Sequence, residues 1–366
     1  MTQLIITTLG ESCDMYQPKT ISKKEMIEDG KYPVFGANGI IGRYNQYNHE
    51  ERELLLTCRG ATCGALNVSE PYSWINGNAM VIKPKTKDIN FNYLRYFLEG
   101  GIDLKHAITG AAQPQITRQN LIPISLPVPP LTIQKQIVEK LDAAFTDIDK
   151  AISATEKNIE NAEALFQSLL NNQFNSKENL LSLKEVAELD KKQGKYMDLP
   201  YIGMEDIESG TGKFLGDLSN KEMKSNTFKF NSDHLLYGRL RPYLNKVMLP
   251  DFEGHCSTEI FPILVKESIK KEYLFYWLIS EETVKQINRT STGARMPRAN
   301  YKAIKEIKLN VPDINSQMEI VKKIKAIELK LRNYKHLNTK KISEFNLLKS
   351  SILNQAFSGE LTKDAA

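Results

Sequence analysis

From Leu131 to Phe174 the chain contains neither glycine nor proline. Two apolar series run through that stretch in fixed phase. Val138, Phe145, Ile152, Ile159 and Phe166 form one; Leu141, Ile148, Thr155, Ala162 and Leu169 form the other, each three residues after its partner in the first. Both repeat every seventh residue, the a/d pattern of a helix that packs along another helix. At about 1.5 Å per residue such a helix reaches on the order of 60 Å, far beyond an ordinary domain helix. A chain that contains it must also supply a partner of similar length, or leave an apolar stripe in water.

The partner lies in the same chain. Under a shift of 183 residues Thr109-Gly110-Ala111 falls on Thr292-Gly293-Ala294, Pro114 on Pro297, and Val128-Pro129 on Val311-Pro312. Gln134 falls on Gln317, Ile137-Val138 on Ile320-Val321, Asn171 on Asn354 and Phe174 on Phe357, without a gap. A repeat of this length marks a duplicated structural unit. The second helix is expected from about Asn315 to Phe357, with Ile320, Ile324, Ile327, Leu331, Tyr334, Asn338, Phe345, Leu348 and Ile352 as its stripe. Asn338 is the duplicate of Thr155, and both are polar residues at apolar seam positions near the helix midpoints. In an antiparallel pair related by a pseudo-two-fold axis those midpoints meet, and a polar residue there can fix register.

The segments before each helix repeat as well. In the first, Tyr32–Tyr44 alternates apolar residues with Gly and Asn, as short strands and tight turns do. Glu53–Cys58 reads as a buried strand, Ser73–Ile82 as another after a turn, and Phe91–Leu98 has helical spacing. Prolines 123, 127, 129 and 130 close the domain, since proline continues neither a ladder nor a helix interior. In the second, Leu235–Arg239 matches Leu55–Arg59 and Tyr273–Leu278 matches Tyr93–Leu98 at a shift of 180, while Pro200–Gly203 matches Pro33–Gly36 at 167. The expected fold is α+β: mixed α/β domains at 1–130 and 177–314, and long helices at 131–176 and 315–366 packed as an antiparallel coiled coil.

Length and composition agree. A chain of 366 residues with 41% hydrophobic side chains suits two globular domains. No run approaches the roughly 18 apolar residues of a membrane helix, and the N-terminus lacks a signal-peptide pattern. Cys13, Cys58, Cys63 and Cys256 form no CxxC pair, so reduced thiols in a cytoplasmic protein with no membrane partner are expected. Charge is uneven: residues 1–176 carry 17 Lys+Arg against 19 Asp+Glu, residues 177–366 carry 32 against 25. A basic second half is compatible with an anionic partner. There is no Walker-type loop, GxSxG, HExxH or metal-ligand cluster. An adenine-methyltransferase tetrapeptide is also missing; Asp198-Leu199-Pro200-Tyr201 comes nearest and lacks the second proline. The expectation is a chain without catalytic residues, metal or cofactor.

Reading DNA sequence needs Arg or Lys to reach guanine and Asn or Gln to pair with adenine. Phosphate contacts need cations, hydroxyls and exposed backbone N–H groups. Arg43, Arg59, Thr62, Asn76, Asn78, Gln113, Gln115 and Arg118 are the candidates in the first half. Arg239, Arg241, Tyr243, Lys246, Arg289, Ser291, Thr292, Arg295 and Arg298 are those in the second, with Thr290 in the same loop. Plainer readings stand beside several of them. Arg59 and Arg239 could be solvated or ion-paired at strand ends. Asn76-Gly77-Asn78 is a turn former, and Asn38-Gly39 reads as a hairpin turn. Tyr93, Tyr96, Tyr273 and Tyr276 read as core. Lys322-Lys323-Ile324-Lys325 reads as a solvated face. A scaffold joining two protein-binding domains through a coiled coil is the alternative function, and different loop chemistry at matched positions argues against it.

The order and duplication of YPVFGANGIIGRY (32–44), LLLTCRGATCGALNV (54–68), WINGNAMVIKP (74–84), TGAAQPQ…LPVPPL (109–131), GRLRPYLNK (238–246) and ILNQAFSGELT (352–362) resemble the specificity subunit of type I restriction–modification systems. The first spacer departs from it, ending NNQFNSKEN without the SGEL tail. The resemblance implies a non-catalytic DNA-reading subunit with two target-recognition domains. Each reads half of a bipartite duplex through the major groove, and the paired helices set their separation. It also implies two methyltransferase subunits docked on those helices and translocating restriction subunits beyond them, with methyl donor and ATP belonging to the partners.

Overall fold

The computed structural model describes residues 5–358 apart from 103, 111, 112, 222 and 294. Ala111 and Ala294 of the repeat, and the chain from Gly359 onward, therefore lie outside the described residues. The chain divides into two compact units, Met1–Thr155 with Lys340–Ala366, and Glu156–Thr339. Each unit holds one mixed domain, the first part of the long helix that follows it, and the last part of the other long helix.

In the first unit an antiparallel sheet runs in the order Cys13–Tyr16, Ala79–Pro84, Leu54–Thr57, Leu66–Val68. Leu54, Leu55 and Leu56 are all buried because the sheet is covered on both faces. Leu54 and Leu56 pack with Leu94 and Phe97 on one side, and Leu55 with Phe35, Ile75 and Val81 on the other, the alternation a strand imposes. A smaller sheet pairs Tyr32–Gly36 antiparallel with Gly39–Tyr44 and parallel with Trp74–Ile75. Its hairpin turn is Ala37-Asn38, one residue before the expected Asn38-Gly39, and Gly39, at φ 116°, pairs with Gly36 and opens the returning strand.

The second unit repeats this plan. Its antiparallel sheet runs Ala187–Leu189, Ile260–Val265, His234–Gly238, Val247–Met248. Its second sheet again contains one parallel pair, Tyr201–Ile202 against Gly254–Cys256. Val34 opposite Trp74 has become Tyr201 opposite His255, which carries the shift of 167 on one strand and 181 on the other. The shift of 180 expected for the central strands is corrected to 181. Thr57 pairs with Ala79, and Gly238 with Ile260. Identity of Arg59 with Arg239 misleads the alignment by one residue.

Short helices dock each domain on the long ones. Phe91–Tyr96 is capped by Asn90, whose side chain accepts from the Tyr93 N–H at 3.0 Å, and continues as one π-helical turn, Phe97–Gly101. That turn meets the end of the C-terminal helix so closely that a Cβ at Gly101 would lie 2.5 Å from the Phe357 ring. Gln134, 0% exposed, accepts from the Asn90 N–H at 2.8 Å and donates to the Asp88 and Pro129 carbonyls. Its duplicate Gln317, also 0% exposed, accepts from the Lys270 N–H and donates to Ser268 and Pro312. Tyr93 donates to the Pro127 carbonyl and Tyr96 to Asp142; Tyr273 donates to Asn310 and Tyr276 to Glu328. All four rings are buried, and burial raises the pKa of each hydroxyl, that of Tyr273 to about 12.

The long helices span Leu131–Phe174 and Ile314–Phe357, 44 residues each. In each unit they run antiparallel. Leu353 and Ala356 pack with Ile137, Val138 and Leu141 in the first, and Val321 and Ile324 with Leu170 in the second. Every expected seam residue of the first helix is buried or half-buried. The stripe expected for the second helix is corrected in its middle. Tyr334 is 40% and Leu348 46% exposed, while Lys335 and Lys349 take the seam edge. Lys349 lies over the Phe145 ring at 5.2 Å, and the two ammonium groups reach carboxylates, that of Lys335 on Glu163 and that of Lys349 on Asp149. Thr155 donates to the Ala151 carbonyl at 2.7 Å and Asn338 to Tyr334 at 2.8 Å. The polar groups of both expected register points are thus bonded to the preceding turn of their own helices. Ile324 is buried between exposed Lys322, Lys323 and Lys325, a solvated face as expected. Among the described residues no helix is long and apolar enough to cross a membrane, and no cluster of His, Cys, Asp or Glu could hold a metal.

Candidate nucleic-acid interface

In the first unit the strand Leu54–Thr57 leaves its sheet into the loop Cys58–Gly64. A small hairpin, Ile108–Thr109 against Gln115–Ile116, is turned by Gly110 at φ 84° and lies alongside. Ile116 N–H donates to Cys58 O at 2.9 Å, and Gly60 N–H to Pro114 O at 3.1 Å. Those two bonds set Arg59 directly opposite Gln115. Both side chains are exposed, and among the described residues Arg59 forms no ion pair. Gly60 holds φ 89°, which lets the loop turn under the hairpin. Exposed Thr62 is fixed by Asn38, the two side chains bonding at 2.8–3.0 Å, and Thr57 also donates to Asn38 at 3.0 Å. Gln113 is exposed two residues from Gln115, and Arg118 is exposed where a short helix begins.

Other candidates of this unit hold the fold. Arg43 donates to the Gly30 and Lys31 carbonyls at 2.5 and 2.8 Å. Asn76 is 2% exposed and bonds the Ile21 backbone through both its amide atoms. Asn78 is different: it is exposed in the turn before Ala79, which pairs with Thr57, and so stands at the sheet end from which the Arg59 loop departs.

The second unit builds the same ribbon with other side chains. Ala299 N–H donates to Arg239 O at 2.8 Å, and Arg241 N–H to Pro297 O at 2.7 Å. Leu240 therefore opposes Arg298. The correspondence is Cys58 with Arg239, Arg59 with Leu240, Gly60 with Arg241, and Gln115 with Arg298. Gly293, at φ 96°, repeats Gly110. Glu259 stands where the first unit has Asn78, a residue the sequence reading missed and a shift of 181 would have found. Its carboxylate accepts from Arg298 Nε at 2.9 and 3.0 Å and pairs with Arg298 Nη2 at 2.8 Å, with Arg239 Nε at 3.8 Å. Hydrogen bonding to Glu259, then its charge, raises the Arg298 pKa further. Arg239 also lies over the Phe261 ring at 5.0 Å.

Lys246 is committed to the Met204 carbonyl at 2.6 Å. Ser291 is half-buried, with its hydroxyl oxygen enclosed. Arg241, Tyr243, Arg289, Thr292 and Arg295 are exposed, and Arg241 sits at φ 50°, ψ 65°. Each unit thus presents one short ribbon whose backbone is fixed by the same bonds and whose outward groups differ. Such a ribbon offers donors, acceptors and cations to base edges and phosphates.

The family model of the type I restriction modification DNA specificity domain matches residues 6–161 and again 172–347. The chain belongs to this family. It is similar to the specificity subunit of the type I restriction enzyme EcoDI of Escherichia coli, 25% identical over 378 residues that cover 91% of this chain and 83% of that one. The MjaVIII specificity subunit of Methanocaldococcus jannaschii is 22% identical over 91% of this chain and 87% of its own length. Among solved structures, one from work on assembly and conformational transition of the type I R-M system has TM-score 0.70 at 15% identity, covering 98% of both chains. The HsdS subunit from Thermoanaerobacter tengcongensis has TM-score 0.51 at 14% identity, over 98% of this chain and 97% of that one. At such identities the structures speak for the fold.

Proposed function

We propose that this chain is the DNA-reading specificity subunit of a type I restriction–modification complex, without catalytic residues of its own. One recognition domain, residues 1–130, reads one half of a bipartite duplex; the other, residues 177–314, reads the second half. The helices at 131–176 and 315–366 act as the spacer and as the docking post for two methyltransferase subunits, with restriction subunits joining beyond them. Cytoplasmic DNA is the target. The observation that carries this reading is the twin ribbon. The backbone bonds of Cys58–Gly60 with Pro114–Ile116 recur in Arg239–Arg241 with Pro297–Ala299, while the exposed side chains change. Conserved backbone with exchanged outward groups is what two readers of different sequences need. Phosphate contacts would come from Arg118, Arg289 and Arg295, and base contacts in the first half-site from Arg59 and Gln115.

The test is a map of methylated adenines in cells making this chain with its methyltransferase subunit, compared with cells lacking the chain. A two-part motif with a fixed gap, lost without the chain, is expected. A continuous motif, or one unaffected by loss of the chain, overturns the reading.

A further inference from the structure

The structure assigns Arg241 as the guanine-reading residue of the second half-site, an inference that rests on the DNA-reading role proposed above. Of the six cationic candidates of this unit, Arg289 ends the helix Glu281–Arg289 and the other five lie around this ribbon. Arg239 and Arg298 share Glu259, and Lys246 is bonded to the Met204 carbonyl. Arg298 is held bidentate by Glu259, and a guanidinium so held has spent the fork that guanine O6 and N7 would engage. Arg295 lies beyond Gly293, in the hairpin turn. Arg241 is in the ribbon itself, exposed, and without an ion pair among the described residues.

Its backbone makes the stronger argument. Arg241 occupies the left-handed region at φ 50°, where a residue with a Cβ rarely sits. The matching residue of the first unit is Gly60, at φ 89°, for which that region costs nothing. Its surroundings impose the conformation. The Arg241 N–H is tied to Pro297, its carbonyl accepts from Leu244 N–H at 2.8 Å, and Pro242 follows at once. Glycine would satisfy all of this with less strain, so the backbone gives no reason for an arginine here and its side chain does. Strained residues of this kind concentrate at functional sites. Glu259 sharpens the assignment, because it binds Arg298 bidentate and pairs with Arg239 at 3.8 Å, while exposed Arg241 has no carboxylate partner among the described residues.

The experiment uses the full chain and a pool of randomised duplexes, selected by binding and sequenced, for the unmodified protein, Arg241→Gly and Arg241→Lys. Arg241→Gly adopts the residue of the first unit, so its melting temperature is expected not to fall. Guanine preference at one position of one half-site is expected to drop about tenfold or more, with the other half-site untouched. Arg241→Lys keeps the charge and loses the fork, so it should retain overall affinity better than Arg241→Gly while still relaxing that position. Unchanged preference in Arg241→Gly overturns the assignment, as does equal weakening on all sequences, the mark of a phosphate contact. If the unmodified chain enriches no two-part motif, the DNA-reading role fails first and the assignment with it.

Discussion

At the scale of single residues, the two units differ where their backbones agree. Gln115 and Arg298 sit at the same bridge position, yet Gln115 is exposed with its amide unbonded among the described residues and Arg298 is locked to Glu259. An amide pairs with adenine N6 and N7, so Gln115→Ala is expected to relax one base of the first half-site by about tenfold and leave the second unaffected. Selection from randomised duplexes measures this, and equal loss at both half-sites contradicts it. Arg239→Ala should act differently from Arg241→Gly. It removes a stacked partner of Phe261 and of Glu259, so thermal stability should fall together with second-half-site binding. The sequence names candidate residue types for the proposed interface, but not which of them are already bonded within the fold. Arg59 and Arg239 look equivalent in the string, and only the hydrogen-bond register reveals that Arg239 corresponds to Cys58. Glu259 escaped because the expected shift of 180 sets it against Ala79, and only the shift of 181 brings it to the place of Asn78.

At the scale of elements, the sequence was most transparent where periodicity and duplication coincide. The heptads of the first long helix and the Gln134–Gln317 pair are visible without coordinates. The second long helix was harder to read in its middle. Tyr334 and Leu348 look like seam residues on hydrophobicity alone, whereas half-buried Lys335 and Lys349 stand beside them and pair their charges with carboxylates of the other helix. Gln134 and Gln317 are the buried clamps that join a domain to the start of its helix. Alanine at either position leaves one backbone N–H and two carbonyls without their partner, a loss of about 1–3 kcal/mol. Each substitution should lower the melting temperature, and hydrogen exchange should rise first at residues 88–90 in Gln134→Ala and at 268–270 in Gln317→Ala. Exchange spread evenly over the chain would refute the clamp. The tyrosines of the same junctions carry a pH signature. Their hydroxyl pKa values are raised in the fold above the ordinary value near 10, so the neutral form is favoured there. This contribution is complete below about pH 10 and is lost as pH rises through the folded values. Tyr96→Phe and Tyr276→Phe should flatten the alkaline fall in stability measured by thermal unfolding.

At the scale of the whole molecule, each compact unit contains the start of one long helix and the end of the other. Each long helix therefore begins in one unit and ends in the other, and under the proposed reading the length of the helices sets the gap between half-sites. One extra heptad in each long helix preserves the a/d phase and adds about 10 Å of rise. At about 3.4 Å per base pair along the duplex, that corresponds to about three additional base pairs. The expected outcome is a methylation map with both half-site sequences intact and a longer gap between them. A heptad in only one helix leaves its partner too short to cover the new turns, and should lower thermal stability instead of producing a clean new spacing. Half-sites that change identity, or a gap that stays the same with both helices lengthened and the protein folded, would show that the spacing is set elsewhere.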